Sequence, residues 1–544
     1  MGRLALGLDF GTESARMLLV DVETGREAAE AVHLYRHGVL VRALPDGTPL
    51  PPDWALQHPG DYLEATEALV RQAAEAARGE AIIGIGIDFT SCTLLPTTAE
   101  GTALCLLPEY AGEPHAWVKL WKHHAAQRQA DRLNALRPAF LDLYGGRTSS
   151  EWLYAKALQI LEEAPRVFAA SERIIEAGDW IVWQLTGVEV RSVCQAGYKS
   201  HWQPETGYPE GAFLASLHPD FPALLEKLAE PHPVGLRAGG LTTAWAERTG
   251  LRPGLPIAVA LIDAHAAIPG LGVSDPGQLV MVMGTSTVHL LLSRDKVAIP
   301  GISGVVGESV LPGLYAYEAG QAATGDAVEW WVRTLAWAAG TQSDGVFSAL
   351  EREAAAIPPG AAGLLALDWW NGSRTPLVNA DLSALLAGLT VNTRPPEIFR
   401  TIVEATALGT RQVIEIFEAR KGIEPVTELR ACGGLTRSDL VMQIYADATG
   451  RLLHASSTPH ASARGAAVYG ALAAGASGGG FDDATEALRH MGVRDFREFR
   501  PDPAARVRYD LLYTLYRELH RHFGEGGSPL MRRLKDLRAT AVPV

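Results

Sequence analysis

Cysteine and basic residues are both scarce in this chain of 544 residues. The four cysteines, Cys92, Cys105, Cys194 and Cys432, are far apart, and no two of them form a Cys-x-x-Cys pair. This spacing favours reduced thiols in a cytosolic compartment over a disulfide framework or a zinc site. Lysine and arginine number 48 against 62 aspartates and glutamates, which gives a formal net charge of −14. Because nucleic-acid binding requires a basic surface, this balance argues against a nucleic-acid partner.

Long apolar segments are missing too. No run of about eighteen apolar residues occurs, which argues against a membrane-spanning helix, and a carboxylate at Asp9 interrupts the N-terminus too early for a signal peptide. We therefore expect a cytoplasmic protein without membrane contact. No Gly-x-Gly-x-x-Gly opens a βαβ unit and no P-loop motif is present, so the common nucleotide-binding fingerprints are absent. The composition, 47% hydrophobic and 20% charged, is that of a globular protein of roughly two to four domains.

The first twenty residues consist of two apolar runs joined by the polar turn DFGTES. This pattern predicts a β-hairpin. Gly11 allows the backbone to approach a ligand closely, and the hydroxyls of Thr12 and Ser14 can donate to phosphate oxygens. The carboxylate of Asp9 is suited to a hydrated Mg²⁺. An ordinary hairpin with a polar tip is the alternative interpretation of this stretch alone.

The same pattern returns half a chain length later. Apolar runs at 279–283 and 288–292 flank the turn Gly-Thr-Ser-Thr at 284–287. The repeat suggests two lobes of related topology, each offering a phosphate-binding turn to a central cleft. A stretch rich in proline and glycine lies between the two hairpins, and we predict domains at residues 1–252 and 253–544.

Two further apolar runs end in carboxylates. Residues 257–262 predict a buried strand that stops at Asp263, a position suited to a general base or to a helix N-cap. Residues 82–87 predict another strand, followed by the polar sequence DFTSCT, which includes Ser91. Since ligands bind at the carboxyl ends of strands in α/β sheets, this sequence is a candidate wall of a substrate cleft, with a plain polar loop as the alternative.

Helical periodicity predicts one helix over residues 115–136. Within it, Trp121 could stack on a sugar ring, although core packing is the more common role of such an aromatic residue. The neighbouring His123 and His124 cannot share one helix face, which argues against a metal site. Lys199 lies in a polar, aromatic stretch that we interpret as a turn, where it would matter only if the turn faced the cleft.

Two later segments suggest a nucleotide-binding end. A short strand meets Gly433 and Gly434, where a flat base could lie on the backbone, and Ser438 opens the helix that follows. Residues 463–474 form a helix of small residues that can pack tightly beneath a cleft. The amphipathic helix predicted at 504–523 suggests no role.

Four of these motifs together resemble the FGGY carbohydrate kinases, members of the actin-like ATPase superfamily. They are 9–16 (DFGTESAR), 263–265 (DAH), 284–286 (GTS) and 432–435 (CGGL). The resemblance implies an α/β fold with two ribonuclease-H-like domains around an ATP cleft. Six further segments are similar to the branch of that family that acts on L-ribulose: 88–93, 118–124, 149–152, 196–202, 318–326 and 368–376.

The resemblance also implies roles for individual residues. Asp263 would be the catalytic base, and Asp9 would hold Mg²⁺ through water. Residues that approach the ATP phosphates would be Gly11, Thr12, Ser14, Arg16, Gly284, Thr285 and Ser286. Residues near the adenosine would be Gly325, Glu329, Gly433, Gly434 and Ser438. Residues that contact the sugar would be Ser91, Trp121, Lys199, Asp263 and Glu318.

The implied reaction is transfer of phosphate from ATP, with Mg²⁺, to the 5-hydroxyl of L-ribulose in L-arabinose catabolism. The alternatives are a kinase for another pentulose, D-ribulose or xylulose, and a non-metabolic actin-like ATPase. The sequence departs from the family at Ser91-Cys92, where many members have Arg-Glu. This smaller, uncharged wall argues against a glycerol-type substrate. Expected partners are the ketopentose and ATP, with a homodimer as a possible assembly.

Overall fold

The computed structural model describes residues 2–540. Residue 1 and residues 541–544, the outer ends of the two predicted domains, lie outside the described residues. The strands are β1 (Arg3–Phe10), β2 (Ser14–Asp21), β3 (Glu27–Leu34), β4 (Leu56–Gln57), β5 (Ala81–Phe89), β6 (Leu94–Thr97), β7 (Val118–Lys119), β8 (Arg173–Glu176), β9 (Arg191–Ser192), β10 (Pro231–His232), β11 (Arg237–Gly240), β12 (Pro256–Ala258), β13 (Leu261–Ile262), β14 (Gln278–Met283), β15 (Thr287–Ser293), β16 (Gly304–Gly307), β17 (Tyr315–Gln321), β18 (Leu365–Leu367), β19 (Leu385–Ala387), β20 (Glu428–Cys432), β21 (Leu452–Ser456) and β22 (Phe496–Phe499).

The α-helices alternate with these strands. They are α1 (Pro59–Ala76), α2 (Gln127–Ala135), α3 (Leu153–Glu163), α4 (Pro165–Ala170), α5 (Ala177–Thr186), α6 (Val193–Lys199), α7 (Gly211–Leu217), α8 (Thr243–Thr249), α9 (Asp263–Gly270), α10 (Gly325–Ala339), α11 (Ser343–Ala355), α12 (Pro395–Glu418), α13 (Asp439–Thr449), α14 (Ala461–Ala474), α15 (Ala484–Met491), α16 (Pro503–His520) and α17 (Leu530–Thr540).

Two seven-stranded sheets share one topology. In the first sheet, β3-β2-β1 are antiparallel neighbours, and β5 and then β12 continue in parallel from β1. In the second sheet, β17-β15-β14 are antiparallel neighbours, and β20 and then β21 continue in parallel from β14. Both predicted hairpins are therefore confirmed, β1–β2 in one sheet and β14–β15 in the other. The repeated order confirms the predicted α/β fold with two related lobes.

The segment that follows the predicted linker still belongs to the first sheet. The short strands β12 and β13 both pair with β5, so Pro256 to Ile262 belongs to the first sheet. A break at Val259 and Ala260 divides the single strand that we predicted there. The division at residues 252 and 253 stays a prediction, and these pairings place the residues just before Asp263 with the N-terminal lobe.

Helix α14 lies directly on the glycines of the first sheet. A Cβ atom at Gly86 would lie 1.8 Å from the carbonyl oxygen of Ala466, and one at Gly7 would lie 1.8 Å from that of Ala463. Helix α9 packs equally closely on α14, since a Cβ at Gly465 of α14 would lie 1.8 Å from the carbonyl oxygen of Ala266 in α9. This confirms the predicted tight packing of the small-residue helix and brings a late segment of the chain under the N-terminal strands.

The predicted helix over residues 115–136 is wrong. Its first part contains a 3₁₀ turn at 115–116 and β7, which pairs with β4 and β6, and within 115–136 only α2 is α-helical. Backbone bonds to the distant segment 53–55 replace the helical ones, since Leu120 and His124 donate to the carbonyls of Ala55 and Asp53. The turn predicted around Lys199 is also wrong, because Lys199 is the last residue of α6.

Candidate active site

A cavity of about 470 Å³ opens between the two sheets at the carboxyl ends of their central strands. Both polar hairpin turns face it, the first from β1–β2 and the second from β14–β15. The predicted site residues that line it are Asp9, Gly11, Thr12, Arg16, Ser91, Trp121, Lys199, Asp263, Gly284, Thr285, Ser286, Glu318 and Gly433. The topology therefore brings together residues that are scattered over most of the sequence.

The first turn is held rigidly from both sides. The amide of Gly11 donates to the carbonyl of Ser14 at 2.9 Å, and the side chain of Gln57 donates to the carbonyl of Thr12 at 2.7 Å. The indole N–H of Trp121 donates to the Thr12 hydroxyl at 3.1 Å. These bonds fix the turn in a shape that leaves its remaining donors available to a ligand, as a phosphate site requires.

The second turn is also closed by a backbone hydrogen bond, and α10 begins on top of it. Gly284 donates to Ser286 at 2.9 Å, and the amides of Thr324 and Asp326 both donate to the carbonyl of Thr285 at 3.0 Å. A Cβ atom at Gly325 would lie only 2.3 Å from the Gly284 carbonyl oxygen. Gly325 therefore stands outside the cavity and allows the helix to approach the turn.

Asp263 is the first residue of α9 and lines the cavity, close enough to Asp9 and Glu318 for their charges to act on it. Its carboxylate accepts a hydrogen bond from the amide of Ala264 at 2.7 Å. Burial and then the negative charge of Asp9 raise the pKa of Asp263 to about 7, against the opposing effects of the Ala264 amide and Lys199. A carboxyl group with this pKa can accept a proton near neutral pH.

Lys199 and Glu318 form a buried ion pair on the lining of the same cavity. The Nζ atom of Lys199 lies 3.1 and 3.3 Å from the two carboxylate oxygens of Glu318. Burial alone would lower the pKa of Lys199 and raise that of Glu318, but their attraction outweighs it, so both pKa values move towards the charged forms. The fully buried His265 lies 3.6 Å from Glu318, and burial lowers its pKa to about 4.

The predicted adenosine residues are only partly brought together. Gly433 lines the cavity with φ 103°, and a Cβ there would lie 2.4 Å from the Met283 carbonyl oxygen. Gly434 and Ser438 lie outside the lining, and the Ser438 hydroxyl donates to Glu351 while it caps α13. The side chain of Glu329 is 66% exposed and faces Arg333.

Ser14 also stands apart from the lining, at the start of β2. The roles that we assigned to Ser14, Gly325, Glu329, Gly434 and Ser438 stay predictions. Each belongs to an element that supports one of the two turns or the glycine pair.

The residues around Asp9 fit a hydrated divalent cation. The carboxylate of Asp9 pairs with the Arg16 guanidinium at 3.2 Å and is 13% exposed towards the cavity. Asp88 occupies the neighbouring position on β5, beside the Asp9 carboxyl group, and no N–H or hydroxyl group within residues 2–540 donates to its buried oxygens. Burial and the charges of Asp9 and Asp263 raise its pKa well above the usual range. Carboxylate oxygens are the ligands that Mg²⁺ prefers.

Our sequence reasoning missed three residues at this site. Asp88 follows an apolar strand as part of an Asp-Phe pair, as Asp9 does, and this repetition could have revealed it. Arg374 lines the cavity and lies inside a segment that we quoted only for its similarity. His265 follows Asp263 by two residues, and no sequence signal distinguishes it from an ordinary buried histidine.

The comparisons with known proteins match this architecture. Residues 279–474 match the model of the FGGY family of carbohydrate kinases, C-terminal domain. The chain is 47% identical to the ribulokinase of Bacillus licheniformis over 96% of its own length and 97% of that protein. It is 46% identical to the ribulokinase of Geobacillus thermodenitrificans over 99% and 98% of the two chains. The chain belongs to the ribulokinase family.

Solved structures of other FGGY-type kinases share the fold of this ribulokinase family member. The xylulose kinase of Rhodospirillum rubrum superposes with a TM-score of 0.81 at 25% identity, covering 97% of this chain and all of that one. The glycerol kinase of Plasmodium falciparum, solved with ADP, gives 0.78 at 17% identity over 95% and 98% of the two chains. Family membership decides against the non-metabolic ATPase alternative. None of the helices within residues 2–540 is both long and apolar enough to cross a membrane.

Proposed function

We propose that this chain transfers the γ-phosphate of ATP to the 5-hydroxyl of L-ribulose, giving L-ribulose 5-phosphate and ADP, in L-arabinose catabolism. The observation that carries the proposal is the position of Asp263, whose carboxylate lines the cavity together with two phosphate-type turns and a buried polar wall and has its pKa raised to about 7. The ribulokinase names of its relatives, which are 44–47% identical over nearly their whole length, supply the substrate.

Phosphoryl transfer demands positioning and charge stabilisation more than covalent chemistry. The amides and hydroxyls of the turns at 11–12 and 284–286 would hold the phosphates, and Arg16 would face the developing charge. Asp9 would hold Mg²⁺, which neutralises phosphate oxygens when bound. Asp263 would accept the proton of the sugar hydroxyl as that oxygen attacks.

The sugar end of the cavity is suited to a polyhydroxylated substrate. Lys199 and Glu318 together offer a donor and an acceptor that are already desolvated and fixed by each other. Ser91 adds a hydroxyl, and Trp121 adds an aromatic face. Because a site built to hydrogen-bond each hydroxyl rejects substrates that leave its groups unpaired, this wall can discriminate among pentuloses.

A coupled ADP-release assay with Mg-ATP tests this proposal. We expect the highest kcat/KM for L-ribulose among L-ribulose, D-ribulose, L-xylulose and D-xylulose, with glycerol as a poor substrate. D263N should keep the fold and lose about 10²–10⁴-fold in kcat, the usual contribution of a positioned base. A higher kcat/KM for D-ribulose or xylulose would favour the alternative pentulose kinase. An unchanged kcat in folded D263N would remove Asp263 from its role.

The homodimer stays a prediction, and light scattering would measure the oligomeric state.

A further inference from the structure

Asp88 is a buried carboxyl group whose side-chain contact is a second carboxyl group, that of Asp9. Its exposure is 0%, and no N–H or hydroxyl group within residues 2–540 donates to either of its oxygens. Burying an unpaired carboxylate is strongly unfavourable, so such groups are normally paired or bound to a metal ion. Two carboxyl groups in contact need either a shared proton or a cation between them, and a divalent cation would satisfy both at once.

The sheet places Asp88 beside the carboxylate that we assign to the cation. The parallel register of β1 and β5 sets Asp88 directly opposite Asp9 and Phe89 opposite Phe10, and the two phenyl rings stack at 5.0 Å. Side chains at paired positions of neighbouring strands point to the same face of a sheet. The strands thus fix the two carboxyl groups next to each other behind the first phosphate turn.

The negative charge at this point exceeds the positive charge around it. Asp9, Asp88 and Asp263 all influence one another, while Arg16 is the cation that faces both Asp9 and Asp88. The Nε atom of Arg16 lies 3.2 Å from one oxygen of the Asp9 carboxylate. Oxygens that remain without a partner, on adjacent carboxylates, are the ligand type that a hard divalent cation takes.

We propose that Asp88 is a second carboxylate of the divalent-cation site, acting with Asp9, directly or through a water bound to the ion. The inference rests on the proposed function only in that it concerns the same cavity. It predicts a property that Asp9 alone would not give the site: with two protein carboxylates, the site binds Mg²⁺ or Mn²⁺ before any nucleotide is present.

Titration of the metal-stripped full chain with Mn²⁺, without nucleotide, tests this inference. Free Mn²⁺ is followed by its electron paramagnetic resonance signal. We expect the wild type to bind one Mn²⁺ and both D88N and D9N to bind it at least tenfold more weakly. D179N is the matched control: Asp179 is 2% exposed and, like Asp88, has an unpartnered oxygen and is not on the cavity lining, but only Asp88 of the two lies opposite Asp9. It should bind Mn²⁺ as the wild type does.

Wild-type affinity in folded D88N would overturn the inference, and so would a wild type that binds no Mn²⁺ without nucleotide. Thermal unfolding provides the second readout, since Mn²⁺ should raise the Tm of the wild type and D179N but not that of D88N. Asp88→Ser serves if D88N does not fold. A failure of the proposed function would look different, because the wild type would then lack ketopentose kinase activity while its Mn²⁺ titration still distinguished D88N from D179N.

Discussion

Asp263 has to be basic enough to take a proton at neutral pH and accessible enough to reach an alcohol. Its place at the first turn of α9 gives it a hydrogen bond from the amide of its own neighbour Ala264, and the residue lines the cavity. Burial is the largest cause of its raised pKa; the negative charges of Asp9 and Glu318 add to it, and the Ala264 amide and the positive charge of Lys199 oppose it. Burial and the neighbouring charges therefore set the pKa of Asp263 together.

The pH dependence of kcat follows from this tuning. Below its pKa of about 7 the Asp263 carboxyl is protonated and cannot accept the sugar proton, so kcat should rise with pH and level off above about 8. Lys199→Met removes a charge that lowers the pKa, so the midpoint should move to higher pH. Initial rates at saturating substrates between pH 5.5 and 9 measure both curves. A flat profile between pH 6 and 8 would contradict the assignment, and a variant at exposed Lys122 provides a control that should not shift the midpoint.

The charged residues of the site were only partly predictable. Asp9 and Asp263 stand at the ends of apolar runs, and that position alone marks them in the sequence. Asp88 has the same signal, but its meaning depends on the parallel pairing of β1 with β5, which brings it beside Asp9. The ion pair between Lys199 and Glu318 joins residues more than a hundred positions apart, and sequence reasoning could name them but not pair them.

Helix α14 connects the two lobes through contacts between backbones. It packs on β1 and β5 on one side and on α9 on the other, with glycine or alanine at each point of closest approach. Small residues allow this approach because no Cβ group separates the chains. The packing sets the distance between the first phosphate turn and the helix that carries Asp263.

Gly86→Ala tests how strictly this distance is fixed. The new methyl carbon would lie 1.8 Å from the carbonyl oxygen of Ala466, so either β5 or α14 has to move. We expect a loss of about 3 kcal/mol in the free energy of unfolding, at the upper end of overpacking effects. Chemical denaturation measures it. Gly345→Ala is the control, because nothing lies within 4 Å of a Cβ at this exposed helical position. It should stabilise α11 by about 0.5–1 kcal/mol, and a similar gain at Gly86 would contradict the packing.

Local sequence patterns correctly predicted the elements whose conformation depends on short-range interactions. Both hairpins follow from polar turns between apolar runs, and α16 follows from a long amphipathic period. The segment 115–136 shows the limit. Its helical periodicity is real, but backbone hydrogen bonds to residues 53–55 hold its first half in an extended form. Such distant partners are not visible in a local window.

The cavity belongs to both lobes, so its shape depends on how they are set against each other. Asp9 and Ser91 come from the first sheet, whereas Thr285 and Glu318 come from the second. A sugar that contacts Lys199 and Glu318 touches elements from both. Binding should therefore favour a more closed arrangement, which also excludes water from the transferred phosphate.

Closure of the lobes predicts two linked effects of the sugar. L-Ribulose together with a non-hydrolysable ATP analogue should lower the radius of gyration measured by small-angle X-ray scattering. Saturating L-ribulose should also lower the rate of ATP hydrolysis to phosphate relative to sugar phosphorylation, because water no longer competes as acceptor. Glycerol, which lacks the hydroxyls to span the wall, is the control ligand and should change neither quantity. Undiminished hydrolysis at saturating L-ribulose would contradict the closure.

The packing of α14 on the first sheet also determines when that face of the sheet is covered during translation. A ribosome that has released β1 and β5 has not yet made the helix that covers their glycines. The nascent N-terminal half therefore leaves this face of its sheet bare until residue 474 has left the exit tunnel. Truncated chains that stop before α14 should accordingly depend on chaperones and be degraded early.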